Sequence, residues 1–293
     1  MEAGPSPTEG TACEPNAETP RLGFRRFQPL DRRISLHEEV LALRGGARTY
    51  RQIADEIELK FGIRLSKSTI SDWTSRKASP LRAGHPFVAR PTPELAYVIG
   101  VEAGDGFLNV KPRSYQYRIR LRAVDREFVE EFNQAVSKVL GCPPHRLWKG
   151  EKTRETEVEF GSYSLHKFLM QKLDDLKPFI EHDKSCAAAF IRGFFDSEGC
   201  VEVSGKISGA NTDLSLLTYA QELLHRFFHI ETRGPYRGKM KGTILTRRGK
   251  SYVRNADCYS IYVVMQCAGL FYNEIGLTIE RKKIRLETAL GLS

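Results

Sequence analysis

Two segments of the 293-residue sequence end in an acidic residue that is followed by glycine. The first covers residues 97–106 and the second residues 190–199, so that Asp105 corresponds to Glu198. Each segment is predicted to be a helix that stops at its acid, with the following glycine in a left-handed turn. An acid is disfavoured there because a helix C-terminus already carries partial negative charge. Two acids in matching positions therefore predict a bound cation.

The elements predicted around these acids also repeat. After Asp105 we expect strands near 106–111 and 115–122, a helix at 125–140, strands near 145–150 and 155–161, and a helix from 162. After Glu198 we expect strands near 200–208, a helix at 211–228, strands near 230–237 and 257–264, and a helix near 266. One order of elements used twice implies two pseudo-symmetric halves. Small residues such as Gly100 and Gly193 would let the two leading helices pack closely.

The charge is unevenly distributed, with a net value of +9. Residues 1–20 contain four acids and no lysine or arginine, whereas residues 233–254 contain eight basic residues and no acid. This pattern predicts a polyanionic partner, most simply nucleic acid. No apolar run reaches the length of a membrane helix, and the cysteines form no CxxC pair, so we expect a cytoplasmic protein that associates with the nucleoid and not with a membrane.

The N-terminal region divides into a tail at 1–30, a helical unit at 31–78 and a proline-containing linker at 79–92. We expect helices from Ser35 to Arg44, from Thr49 onward and from Ser66 onward. Thr49 with Gln52 forms a capping box for the second helix, and Ser66 caps the third. This layout is typical of a helix-turn-helix. Its third helix would present a polar and basic surface to a DNA major groove through Lys67, Ser68, Ser71, Arg76 and Lys77.

With their glycine-acid-glycine and acid-Ser-Glu-Gly ends, the two segments resemble the paired motifs of LAGLIDADG homing endonucleases of the single-chain type. The resemblance covers about residues 93–290. It implies an α+β fold in which an αββαββα unit is duplicated, with halves at 93–183 and 184–293. It also implies a monomer whose two antiparallel sheets grip double-stranded DNA at a long specific target, and a free-standing protein encoded within an intron.

The resemblance further implies a metal-dependent hydrolysis of phosphodiester bonds. Asp105 and Glu198 would be carboxylate ligands of Mg²⁺ or Mn²⁺, with the backbone carbonyls of Gly104 and Ser197 as further ligands. Lys282 and Lys283 follow a terminal Ile-Gly-Leu motif, where relatives carry basic residues that assist catalysis. Glu102 and Asp196 lack a counterpart in the opposite copy, and a packing or supporting role is expected for them.

DNA contacts are expected from two further sets of residues. Arg118, Arg120 and Arg122 alternate along one strand, so their side chains should share a face of the sheet. The 233–254 segment would lie in a hairpin and contact phosphates through Arg233, Arg237, Lys239, Lys241, Arg247 and Arg248.

Two other functions remain open at this stage. The same fold joined to a helix-turn-helix also occurs in non-catalytic transcription regulators that have lost the acids. A maturase that binds intron RNA and assists its splicing is the second alternative. Because this sequence retains both acids, the endonuclease is the principal hypothesis.

Overall fold

The computed structural model describes residues 28–75, 77–80, 85–111, 116–150, 154–238, 240–247 and 250–292. It contains two compact units, Met1–Pro80 and Leu81–Ser293. Most of the predicted tail and part of the predicted linker lie outside the described residues. No helix in the described part of the chain combines the length and apolarity that a membrane span requires.

The first unit contains three helices around a small apolar core. They are α1 (Leu30–Gly45), α2 (Tyr50–Phe61) and α3 (Lys67–Thr74). The capping box of α2 is present, and Ser66 caps α3 by accepting from the Thr69 amide at 3.2 Å. Helix α1 begins earlier than predicted, at Leu30 instead of Ser35, because Leu30 itself is buried.

The second unit starts with a half built from eight elements. These are α4 (Pro93–Glu102), β1 (Phe107–Lys111), β2 (Gln116–Ala123), α5 (Arg126–Leu140), β3 (Trp148–Lys149), β4 (Thr156–Gly161), α6 (Tyr163–Leu169) and α7 (Leu173–Ile180). The four strands form an antiparallel sheet in the order β1-β2-β4-β3.

The second half repeats this plan with one insertion. Its elements are α8 (Lys184–Glu198), β5 (Gly199–Val201), β6 (Ile207–Asn211), α9 (Leu214–Phe228), β7 (Thr232–Arg237), β8 (Ile244–Arg247), β9 (Lys250–Val253), β10 (Tyr259–Val263), α10 (Ala268–Glu274) and α11 (Glu280–Leu290). The main sheet is antiparallel in the order β5-β6-β10-β7, and β8-β9 is a separate hairpin. The duplicated αββαββα fold predicted from the sequence is therefore confirmed.

Alternation along the strands determines which face of each sheet is buried. In β2, Tyr117, Ile119 and Leu121 are buried, whereas the intervening arginines are accessible. Residues two apart on a strand share a face, so the apolar set packs against the helices and the arginines lie on the opposite side. One continuous apolar core extends through both halves, and the helical unit has its own core.

Helices α4 and α8 pack against each other through glycine. A Cβ atom placed on Gly100 would lie 2.2 Å from the carbonyl oxygen of Phe190, and one on Gly193 would lie 2.5 Å from that of Tyr97. Both distances are shorter than atoms allow, so each position excludes any side chain. The expectation that small residues bring the two leading helices together is confirmed.

The glycines that follow the two acids differ from the prediction. Neither Gly106 nor Gly199 has a positive φ; Gly199 is extended, with φ −86° and ψ 153°. They are needed for space instead, because a Cβ on Gly106 would lie 2.5 Å from Cα of Glu102 and one on Gly199 would lie 2.3 Å from the Phe195 carbonyl oxygen. The predicted left-handed turns are therefore wrong at both positions.

Candidate metal and nucleic-acid site

The structure brings Asp105 and Glu198 together at the ends of α4 and α8. Glu198 is the last residue of α8, whereas Asp105 lies in a turn three residues beyond the end of α4. The approach is close, since a Cβ on Gly104 would lie 2.6 Å from Cβ of Ser197 and 2.9 Å from Cγ of Glu198. The four residues predicted as metal ligands therefore lie in one place.

Electrostatics make this place unfavourable for two free carboxylates. Desolvation raises the pKa of Asp105 above its ordinary value. Desolvation, followed by the neighbouring charge of Asp105, raises the pKa of Glu198 to about 7. Neither carboxylate has a salt bridge or a side-chain hydrogen bond within the described part of the chain. Such a pair binds protons or cations readily.

The two lysines predicted to assist catalysis occupy different environments. Lys282 is buried, and its Nζ donates to the carbonyl oxygens of Phe195 at 2.9 Å and Asp196 at 2.6 Å. Its charge acts against the raised pKa of both Asp105 and Glu198. Burial also lowers the pKa of Lys282 itself to about 8. Lys283 instead points along α11 toward Glu287, at 3.9 Å.

Asp196 supports the end of α8 from inside the core. Its carboxylate accepts from the backbone amide of Thr278 at 2.9 Å and from the hydroxyl of Tyr97 at 3.1 Å. These bonds connect α8 with α4 and with the segment before α11. Lys282 lies in the first turn of α11. The supporting role expected for Asp196 agrees with this network. Tyr97 and Thr278 were not found from the sequence, because their contacts join distant segments.

On the open face of the first sheet, three arginines and three glutamates form a row of ion pairs, which we call the Arg–Glu ladder. Arg118 contacts Glu159 at 2.6 Å and Arg120 contacts Glu157 at 3.4 Å. Arg122 contacts Glu155 at 2.5 Å. The three arginines share a face as predicted, but each is matched by an acid from β4 or the residue before it. Alternation along the strand predicts that the three arginines share a face of the sheet. Their pairing with the glutamates depends on the register between β2 and β4.

The basic stretch of the second half surrounds the inserted β8-β9 hairpin. Arg233 and Arg237 lie on β7 and are exposed, and Arg237 pairs with Asp257 at 2.8 Å. Lys241 is exposed at the start of the hairpin, where its backbone amide donates to Asp257 at 2.7 Å. Arg247 belongs to β8. Lys239 and Arg248 lie outside the described residues.

In the helical unit, α3 presents part of the predicted polar surface. Lys67 and Ser68 are exposed on its first turn, Ser71 is half-buried, and Lys77 is exposed beyond its end. Arg76 lies outside the described residues. A groove of about 860 Å³ beside α3 is lined by several basic side chains, among them Arg44, Arg51, Arg64 and Lys67.

Two αββαββα halves, joined through glycine-packed helices that bring two acids together, define the architecture of a LAGLIDADG protein. A family described as a LAGLIDADG-like domain matches residues 185–257. An uncharacterized protein of Methanocaldococcus jannaschii, MJ0398, is 34% identical over 265 residues, which cover 88% of this chain and 93% of the relative. The chain belongs to the LAGLIDADG family.

Other comparisons cover less or are more distant. A second uncharacterized protein of Methanocaldococcus jannaschii, MJ0314, is 28% identical over 46% of this chain and 55% of its own length. Among solved structures, the homing endonuclease I-DmoI in complex with DNA and Mn has a TM-score of 0.44 and 14% identity, covering 64% of this chain and 98% of its own. The N-terminal LAGLIDADG domain of DUF199/WhiA has a TM-score of 0.42 and 17% identity, covering 65% and 84%.

Proposed function

We propose that this protein is a site-specific endonuclease that cuts both strands of DNA with divalent metal held by Asp105 and Glu198. The observation that supports the proposal is the convergence of two unpaired carboxylates at the ends of two packed helices. An acid pair without partners is costly for the fold, so its presence in this position requires a reason. Binding of a cation supplies one.

The donor atoms at this position suit a hard divalent cation such as Mg²⁺ or Mn²⁺, which prefers carboxylate and carbonyl oxygens. The two acids lie near helix ends that add partial negative charge. We assign the remaining protein ligands to the backbone carbonyls of Gly104 and Ser197, which lie beside the acids. No cysteine or histidine is needed in this set, in keeping with the preference of these ions for oxygen.

Bound metal would supply an activated water and neutralise the charge that develops on the scissile phosphate. Asp105 and Glu198 contribute as ionised ligands. Lys282 favours that ionised form through its positive charge, and it also holds the last turn of α8 by its two bonds to backbone carbonyls. Lys282 is therefore proposed as a positioning residue. Lys283, paired with Glu287, is a weaker candidate for a catalytic role.

DNA would lie across the open faces of the two main sheets. We propose base and phosphate contacts from the Arg–Glu ladder in the first half and phosphate contacts from the basic stretch in the second half. Residues Lys67, Ser68, Ser71 and Lys77 of the helical unit would extend the target by contacts in a major groove. Because one chain supplies both acids, we propose that a monomer is the active form.

The test is cleavage of a plasmid library with randomised inserts by the purified protein in Mg²⁺ or Mn²⁺, followed by sequencing of the new ends. We expect cleavage at a defined long sequence. Asp105→Asn and Glu198→Gln should abolish cleavage but retain binding to the selected target. The matched control is Glu130→Gln, an exposed acid on α5 that pairs with Arg126, and it should cut normally.

Each other outcome contradicts the proposal in a different way. Tight binding to a selected DNA sequence without cleavage in either metal would favour a non-catalytic regulator. Preferential binding of structured RNA over DNA would favour a maturase. Cleavage that survives both acid substitutions would remove these residues from the site.

A further inference from the structure

A second cluster of metal-ligating side chains lies outside the acid site. His85 comes from the first described segment of the second unit, and Cys142 and His145 come from the connection between α5 and β3. One ligand atom from each of the three residues lies within 4.8 Å of the other two. The spacing Cys-Pro-Pro-His within the connection places a sulfur and an imidazole on one short loop.

His145 is fixed by hydrogen bonds and by ring stacking. Its Nδ1 lies 2.9 Å from the carbonyl oxygen of Glu159. A carbonyl oxygen can only accept, so Nδ1 carries the proton and the lone pair is on Nε2. The ring stacks on Phe160 at 4.1 Å between centroids. The backbone amide and carbonyl of His145 both bond to the side chain of Asn133, at 2.9 and 2.7 Å. Metal-binding histidines commonly show this second hydrogen bond to a carbonyl.

The other two residues are also anchored by their backbones. The amide of His85 donates to Gly161 at 3.2 Å and its carbonyl accepts from the Ser162 hydroxyl at 2.8 Å. The Cys142 amide donates to the Ser137 carbonyl at 3.0 Å. Gly141, with a φ of 62°, turns the chain at the end of α5 so that Cys142 leads into the loop. Cys142 is half-buried and forms no disulfide.

We propose that His85, Cys142 and His145 bind a Zn²⁺ ion. Two imidazole nitrogens and one thiolate form a donor set that suits zinc and not the hard cations proposed at the acids. Bond lengths of about 2.0–2.3 Å place the ligand atoms of a tetrahedral site roughly 3.3–3.8 Å apart. The three ligand atoms, which now lie within 4.8 Å of one another, would move to these separations on binding. The Cys142 thiol loses its proton to solvent on binding, and water occupies the fourth position.

The ion would act as a structural brace. It would join the segment that contains His85 to the α5–β3 connection and, through Glu159 and Gly161, to β4. Without metal, that segment is held by the hydrogen bonds that residues 85–87 make with Gly161, Ser162 and Ser164 and by packing of Phe87 on Phe168. Zinc binding would therefore stabilise the first half of the LAGLIDADG fold at its N-terminal edge.

The test is a Co²⁺ titration of the untagged, full-length protein after chelator treatment. We expect one equivalent of Co²⁺ to produce the absorption of cobalt–thiolate charge transfer, and one equivalent of Zn²⁺ to remove it. Cys142→Ser should abolish this band, and His85→Gln and His145→Gln should weaken metal binding at least tenfold. Cys200→Ser is the matched control, because Cys200 is exposed and outside the cluster, and it should retain the band.

Thermal unfolding provides a readout that does not depend on colour. Stoichiometric Zn²⁺ should raise the Tm of the wild type and of Asp105→Asn, and should raise that of His85→Gln by less. Should Cys142→Ser fail to fold, His85→Gln still decides the question, because His85 is only half-buried. A band that persists in Cys142→Ser, wild-type affinity for the metal in His85→Gln, or absence of a thiolate band in the wild type would overturn the proposal.

Discussion

Lys282 connects the buried core to the candidate metal site through a single ammonium group. Its ammonium group donates hydrogen bonds to two carbonyl oxygens at the end of α8. Its charge also lowers the pKa of Asp105 and of Glu198, and so opposes the increase that desolvation causes. Its own pKa, lowered to about 8 by burial, means that the charge is present at neutral pH and diminishes above it. The acids and Lys282 therefore form one electrostatic unit.

Lys282→Met should weaken Mn²⁺ binding at neutral pH. Loss of the positive charge raises the pKa of both acids further, so that more of the protein holds them protonated and unable to bind metal at neutral pH. Calorimetric titration between about pH 6 and pH 9 should show the defect shrinking as pH rises and both carboxyls ionise. Lys283→Met, whose lysine pairs with Glu287, is the control. Equal affinities at every pH would exclude the electrostatic role.

Glu102 should make stability depend on pH. Its Oε2 is buried without a partner, and desolvation raises its pKa from 4.5 to about 7. The unfolded chain therefore ionises first, and stability is lost as the pH rises from about 4.5 to about 7. Glu102→Gln should match the wild type near the lower limit and be more stable by about 3 kcal/mol above the upper limit.

Chemical unfolding of chelator-treated protein across that pH range measures this effect. Glu130→Gln serves as the control, because Glu130 is exposed and its substitution should change stability little at any pH. A constant difference between Glu102→Gln and the wild type at all pH values would contradict the ionisation of a buried Glu102.

The proximity of Asp105 and Glu198 could be predicted from the sequence, because the two residues occupy matching positions in the two copies of the repeat. The environment of each acid could not, since it depends on Lys282 and Asp196 from other segments. The cluster of His85, Cys142 and His145 escaped prediction for a related reason. Its two parts are more than fifty residues apart in the sequence, and only the folded chain brings them together.

At the scale of elements, the α4–α8 interface depends on the absence of two side chains. Gly100→Ala and Gly193→Ala should each destabilise the second unit by roughly 1–3 kcal/mol or more, because a methyl group would overlap a backbone carbonyl of the facing helix. Backbone atoms cannot move aside as a flexible side chain can. Chemical unfolding monitored by circular dichroism measures the change.

Gly161→Ala is the matched control for this pair. A Cβ at Gly161 meets no atom within 4 Å, and its φ is not positive. The substitution should therefore leave stability nearly unchanged. Comparable destabilisation at all three glycines would mean that the cost arises from glycine replacement in general and not from helix packing.

Most helices and strands could be predicted within a few residues because their signals are local. Alternation in β2 and the capping box at Thr49 are examples. The conformation at Gly106 and Gly199 was not predictable in the same way. A glycine at a helix end satisfies two different needs, a left-handed turn or a close backbone approach, and sequence does not distinguish them.

At the scale of the whole molecule, the β8-β9 hairpin is an addition to one half only. It forms its own two-stranded sheet, and its Ile244, Tyr252 and Val253 are exposed. None of the described hairpin residues belongs to the core that extends through both halves. The hairpin therefore contributes charge and surface without being required for packing.

Replacement of residues 242–255 by a short Gly-Ser turn should leave the Tm nearly unchanged and weaken DNA binding. The replacement removes basic residues that we expect near phosphates, so the slope of log affinity against log salt should fall by about one for each phosphate that is no longer neutralised. Fluorescence anisotropy at several salt concentrations measures the affinity and its slope, and thermal unfolding measures the Tm. A large drop in Tm would show that the hairpin supports the fold.

The Arg–Glu ladder has a consequence for how the two halves respond to electrolyte. Each arginine already faces a glutamate, so the ladder carries little net charge and would displace few of the counterions that are condensed on DNA. Entropy from released ions would come mainly from the second half. In the first half, the arginines would exchange their glutamate partners for groups on the DNA. The affinity gained in this way would depend on the DNA sequence and only weakly on the salt concentration. Contacts in the first half would thus retain their strength at ionic strengths that loosen the second.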